Sequence, residues 1–108
     1  MKHLKDFGIP SNNKTFIIAE IGINHSGNLE TAKKLIDAAV RAGVDAVKFQ
    51  TYITEKRTPK GSPIFDILKK CELPFTAFKE LKEYAEQKGS LFFSTPFDDE
   101  SVDYLESI

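Results

Sequence analysis

A single cysteine, Cys71, stands in the 108-residue sequence. It leaves no internal disulfide framework and no multi-cysteine zinc site. Net charge is nearly absent, since fifteen basic and sixteen acidic residues leave −1. That excludes a global basic field for holding DNA or an anionic membrane. No apolar run approaches the ~20 residues that a membrane-spanning helix needs. The opening stretch MKHLKDFGIP lacks the apolar centre of a secretory signal. Internal repeats and low-complexity tracts are missing too. These absences point to a soluble, cytoplasmic protein with no nucleic-acid or membrane partner.

What is present is ordinary globular composition. Hydrophobic residues make up 41%, charged 29% and aromatic 11%, which rules out a disordered or collagen-like chain. The length allows one domain, with enough chain to bury a core without disulfides or metals. Residues 1–14, with Gly8, Pro10 and Ser11-Asn12-Asn13, read as an irregular lead-in to the ordered residues 15–108.

Thr15-Phe16-Ile17-Ile18-Ala19-Glu20 is a nearly continuous apolar run, the pattern of a parallel strand buried on both faces. From Asn28 to Arg41, Leu29, Ala32, Leu35, Ile36, Ala39 and Val40 fall on one helical stripe. Asn28 is placed to cap that helix and Gly43 to end it. Asp45 to Gln50 is a second strand, followed by a long connection over 51–63. A short helix fits Ile64 to Lys70. A longer one fits Phe75 to Lys88, burying Phe78, Leu81, Tyr84 and Ala85, with Gly89 as its stop. Leu91 to Thr95 is a third strand. Asp98 is placed to cap a last helix, with Val102 and Leu105 on the buried side.

The order β-α-β-α-β-α implies an α/β fold with parallel strands. It fits an open doubly wound sheet or part of a (β/α)8 barrel. Three strands cannot close a barrel, which takes roughly 250 residues. The sequence stops at Ile108 on an apolar stripe, so the expectation is the first part of a larger, incomplete barrel.

In parallel α/β folds, chemistry gathers at the C-terminal ends of strands. That rule selects Glu20, Lys48, Gln50, Ser94 and Thr95. Alternation puts Val47 and Phe49 on one face and Lys48 and Gln50 on the other. Lys48 then needs an anion, supplied by a substrate phosphate or carboxylate, or by Glu20 in a structural ion pair. Partial burial would raise the Glu20 pKa and suit it to acid/base work; loop amides or Lys48 would satisfy it otherwise. Only one of Ser94 and Thr95 points inward, and alternation leaves open which.

The loop Gly22-Ile23-Asn24-His25-Ser26-Gly27 leads into a helix but matches neither GxGxxG nor a P-loop. A lone loop histidine such as His25 offers no metal site of its own. Cys71 reads as buried and inert. Lys56, Arg57 and Lys60, and the acidic stretch 98–106, read as solvated surface.

Three separated stretches carry a resemblance: AEIGINHSG at 19–27, DAAVRAGVDAVKFQT at 37–51 and FFSTPFD at 92–98. Together with ILKKCELP at 67–74 they resemble the sialic acid synthase family, from about Phe16 onward. That family includes synthases of N-acetylneuraminic, legionaminic and pseudaminic acids and a spore-coat polysaccharide branch. The resemblance implies a (β/α)8 barrel condensing phosphoenolpyruvate with an N-acylated sugar aldehyde such as N-acetylmannosamine. It also implies a divalent metal, manganese or magnesium, and a homodimer for a full-length member.

Position by position, Glu20 matches the motif glutamate at the reacting end of phosphoenolpyruvate. Lys48, Gln50 and Thr95 match its contacts to phosphoenolpyruvate. Asn24 and His25 match the motif without an assigned role. The family's metal-binding histidines, further phosphate and sugar contacts and a small C-terminal domain fall on later segments than these residues. The implied metal therefore has no ligands here, no sugar contact transfers, and the 108 residues alone are expected to be inactive. Two other readings stay open: a non-catalytic assembly or binding module, and a phosphoenolpyruvate-condensing barrel making another keto-sugar acid.

Overall fold

A computed structural model of the chain describes residues 3–9 and 14–108. The part of the lead-in formed by Pro10 and Ser11-Asn12-Asn13 lies outside them. A 3-10 turn at Leu4–Phe7 precedes three strands, β1 (Ile18–Gly22), β2 (Ala46–Thr51) and β3 (Leu91–Pro96). The helices are α1 (Leu29–Arg41), α2 (Thr54–Arg57), α3 (Phe65–Cys71), α4 (Phe75–Gln87) and α5 (Asp99–Ser107). The strands form one parallel sheet in the order β1-β2-β3. This is the expected βαβαβα arrangement, with α2 added in the long connection.

Helix boundaries follow the local chemistry. The Asn28 side chain accepts the Thr31 N–H at 2.9 Å and starts α1. Beyond its end Gly43 turns at φ 88°, a conformation that a side chain disfavours. Ala32 and Ile36 of α1 and Ala77, Phe78, Leu81 and Ala85 of α4 bury against Ile21, Val47 and Phe49. Phe92, Tyr104 and Ile108 flank this core. The apolar stripe read from the sequence is thus the surface of α1 that faces α4 and the sheet.

Three expectations need correction. β1 begins three residues later than the apolar run and continues to Gly22, so Glu20 is its middle residue rather than its end. Nor is it buried on both faces: Ile17 is 52% and Ile18 44% exposed. On α5, Val102 is 40% exposed while Ser101 is fully buried. The cap sets the helix phase, so Ser101, Tyr104 and Ile108, at helical spacing, face the sheet.

The acidic stretch and the basic cluster also meet. Lys56 pairs with Glu100. Asp98 accepts the Ser101 N–H and hydroxyl at 2.8 and 2.9 Å and, across the fold, the Ile53 N–H at 2.8 Å. Partial burial pushes the Asp98 carboxyl up, but the Ile53 and Ser101 donors and Lys56 outweigh it and hold it below its ordinary value. One carboxylate therefore caps α5 and anchors the start of α2. Asp98→Ala is expected to destabilise the chain by about 2 kcal/mol, read from the urea midpoint. Lys56→Ala, on an exposed pair, is expected to leave the midpoint nearly unchanged.

Candidate active site on the open face of the sheet

The register decides which side chains share a face. Glu20 lies beside Lys48, Lys48 beside Phe93, and Gln50 beside Thr95. Partners in register on parallel strands project to the same side. Glu20, Lys48, Gln50 and Thr95 therefore share the face opposite the helices. Val47 and Phe49, both fully buried, take the helix side as expected. Ser94 goes with them: its hydroxyl meets that of buried Thr51 at 2.6 Å. The open question between Ser94 and Thr95 is settled in favour of Thr95 by register.

Lys48 Nζ lies 3.3 Å from Glu20 Oε2, with 39% and 50% of the two side chains exposed. An ion pair this open is worth about 0–1 kcal/mol once water screens it. The Glu20 side chain is only half-buried on this face. The pair is weakly held, and an incoming anion can take over Lys48 at small cost. Gly22 ends β1 beside them at φ 58°. A Cβ there would stand 3.2 Å from Glu20 Oε1 and 3.4 Å from Gln50 Nε2. The bare glycine leaves the carboxylate and the amide room to face each other.

Arg57, read from the sequence as solvated surface, is built into this end of the sheet. Arg57 donates from Nη1 to Gln50 Oε1 at 2.9 Å. Its guanidinium carbon lies 3.7 Å from the Phe97 ring centroid and 4.8 Å from that of Tyr52. Tyr52 donates to the Leu68 carbonyl at 2.7 Å. Burial pushes its phenol up to about 12, with Cys71 and Glu72 adding and Arg57 opposing. It stays a neutral donor at any ordinary pH. The flanking aromatics Tyr52 and Phe97 were the available signal for Arg57, but they lie 45 residues apart in sequence.

His25 is fully buried beneath the β1–α1 loop, stacked on Phe49 at 6.1 Å. Its Nδ1 accepts the Gly27 N–H at 3.0 Å. Gly27 itself is pressed against α3, where a Cβ would come within 2.2 Å of the Lys70 carbonyl oxygen. With Nδ1 accepting, the neutral ring carries its proton on Nε2, which has no hydrogen-bond partner among the described residues. Among those residues, no group of three or more His, Cys, Asp or Glu side chains is placed to hold a metal ion. The donor set here does not fit an implied divalent metal. Cys71 is buried at the end of α3, as expected. No helix among the described residues is long and apolar enough to cross a membrane.

Three parallel strands with helices packed on one face only are the arrangement found in part of a (β/α)8 barrel. Comparison with known proteins gives the family. Residues 35–108, well over half of the chain, match the NeuB family, and the chain belongs to it. An uncharacterized protein of Methanocaldococcus jannaschii is 48% identical over 91 residues, covering 84% of this chain and 27% of that protein. The N,N'-diacetyllegionaminic acid synthase of Campylobacter jejuni is 40% identical over 109 residues, covering 88% and 33%. The crystal structure of N-acetylneuraminic acid (sialic acid) synthetase from Leptospira borgpetersenii, in complex with citrate, superposes with a TM-score of 0.84 at 41% identity. It covers 89% of this chain and 34% of that one. The structural neighbours are sialic acid synthase-type barrels, which decides for the barrel over the doubly wound sheet. The chain spans about a third of the length of the relatives it matches.

Burial disfavours the charged His25 ring and holds its pKa below the ordinary 6.5. The unfolded chain takes up that proton near 6.5 and the folded chain only at lower pH. Stability is therefore full above about 6.5 and is lost as pH falls through the folded value. The urea midpoint is expected to drop between about pH 7 and pH 5. His25→Phe, which keeps the stack on Phe49, is expected to flatten that slope; an unchanged slope would place the proton uptake elsewhere.

Proposed function

We propose that the chain supplies the phosphoenolpyruvate-binding wall of a cytoplasmic synthase. The enzyme condenses phosphoenolpyruvate with an N-acylated sugar aldehyde of the N-acetylmannosamine type. The product is a nine-carbon, sialic-acid-like keto acid, with release of phosphate. The observation that carries this reading is the convergence of Glu20, Lys48, Gln50 and Thr95 on one bare face across three parallel strands. Family membership, and relatives named as synthases of legionaminic and N-acetylneuraminic acids, support it.

The proposed reaction makes one carbon–carbon bond and replaces the carbon 2–oxygen bond to phosphate by a carbon 2–oxygen bond from water. Carbon 3 of phosphoenolpyruvate attacks the aldehyde carbon, whose oxygen takes a proton to become a hydroxyl. Carbon 2 is left with oxocarbenium character. Water adds there and loses one proton; the new carbon 2 hydroxyl then loses its own proton as the carbonyl forms, and phosphate departs with the electrons of the original carbon 2–oxygen bond. Lys48 neutralises the anionic substrate, exchanging Glu20 for a carboxylate or phosphate oxygen. The Gln50 amide and the Thr95 hydroxyl donate hydrogen bonds to the same anion. Glu20, released from Lys48, stands where it can offset the positive charge at carbon 2 or accept the proton of the water. Fixed donors and charges of this kind favour the transition state because they need no reorganisation. Manganese or magnesium, proposed for the full-length enzyme, would take its ligands from other residues than these.

Calorimetric titration with phosphoenolpyruvate tests the reading. The chain is expected to bind it, and Lys48→Ala to weaken binding about tenfold or more, as loss of a charge-assisted hydrogen bond implies. Lys79→Ala, on the exposed side of α4, serves as the control and is expected to bind normally. With phosphoenolpyruvate, manganese and N-acetylmannosamine, the 108 residues are expected to release no phosphate above the Lys48→Ala background. Equal affinity in the wild-type chain and Lys48→Ala would sink the assignment.

A further inference from the structure

We infer that Arg57 is a positioning residue that sets the side-chain amide of Gln50, turning its NH2 edge toward Glu20 and the substrate anion. The inference rests on the phosphoenolpyruvate reading above. An amide can present either its oxygen or its nitrogen to a site, and the two ends have opposite chemistry. A guanidinium has only donors, so the end of Gln50 that meets Arg57 must be the oxygen. Arg57 Nη1 does meet Gln50 Oε1, at 2.9 Å. Gln50 Nε2 is thereby sent to the other side, toward Gly22, where a Cβ would stand 3.4 Å from it and 3.2 Å from Glu20 Oε1. Two N–H donors then face the place where an anion would displace Glu20 from Lys48. With the amide reversed, a carbonyl oxygen would stand there and repel the same anion.

Arg57 can impose this choice because it is itself held on several sides. Its guanidinium lies over the Phe97 and Tyr52 rings, at distances where a cation is attracted to the ring face. The two rings meet edge to face at 6.5 Å. The helix that carries Arg57 is a single turn, α2, fixed from outside itself. Glu72 accepts both the Thr54 N–H and the Thr54 hydroxyl at 2.7 Å, and Asp98 accepts the Ile53 N–H. Position 57 is outside the motifs that carry the family resemblance, so this contact adds a determinant that those motifs do not contain.

The test uses the whole 108-residue chain, labelled with nitrogen-15. Arg57→Met keeps an apolar side chain between the rings and removes every donor. It is expected to shift the Gln50 side-chain NH2 pair, assigned by its loss in Gln50→Ala, and to weaken phosphoenolpyruvate binding about threefold to tenfold. In the Gln50→Ala background, Arg57→Met is expected to cause no further loss, because its effect passes through the missing amide. The backbone spectrum and the melting temperature verify that each variant is folded. An unmoved Gln50 NH2 pair overturns the inference. So does an equal further loss in the Gln50→Ala background, which would mean that Arg57 meets the ligand itself. If the wild-type chain binds no phosphoenolpyruvate, the proposed function falls, and the Gln50 signals alone still decide whether Arg57 sets the amide.

Discussion

A β-strand residue can serve only one face, and along β2 that constraint divides the molecule. Val47, Phe49 and Thr51 are fully buried on the helix side, while Lys48 and Gln50 project the other way. The core and the candidate site are thus interleaved in one six-residue segment. Burying Val47 and Phe49 under α1 and α4 stabilises the sheet through apolar area removed from water. The same burial fixes where the Lys48 ammonium and the Gln50 amide emerge. A one-residue slip of β2 would bring Lys48 into the core and carry Phe49 out to the bare face, so packing enforces the register of the candidate site.

The C-terminal ends of the strands are held by a second device, the Asp98 carboxylate. It caps α5, which follows β3, and it accepts an N–H from Ile53, which follows β2. The loops after two neighbouring strands are therefore tied to one atom group. Glu72 does similar work from α3, gripping Thr54. Between them these two acids place a one-turn helix too short to be stable alone. On that helix sits Arg57, and against Arg57 rests Gln50. A side chain of the site thus depends on acids that never face it.

Much of this was legible in the sequence, because much of it is local or periodic. The stripe over 29–40, the caps at Asn28 and Asp98 and the alternation in DAVKFQ each use a few neighbouring residues. Alternation in β2 likewise put Lys48 and Gln50 on one face, but that Thr95 rather than Ser94 joins them is set by the register between strands, which no local pattern shows. What the sequence did not disclose is contact between distant residues of ordinary kind. Arg57 read as solvated charge, since one of the two rings it lies over, Phe97, is forty residues away in sequence. The helix at Thr54–Arg57 has its N-terminal donor satisfied by a residue eighteen positions on. The buried phase of α5 was misread because a small polar residue, Ser101, takes the position that an apolar count gave to Val102.

The openness of the Glu20–Lys48 pair has a consequence for how such a site would work. A buried, fully hydrogen-bonded pair would resist an incoming anion by several kcal/mol, because separating it strands both charges. This pair is half in water, so separating it costs little and both groups keep solvent as a partner. The protein has instead invested its fixed geometry in the neutral group, Gln50, which Arg57 clamps at its oxygen. The charges are left free to change partners while the amide is held still. That division suits a ligand that arrives as an anion and must then be kept in one orientation, since charge attracts from any direction and only the amide's N–H vectors impose an angle.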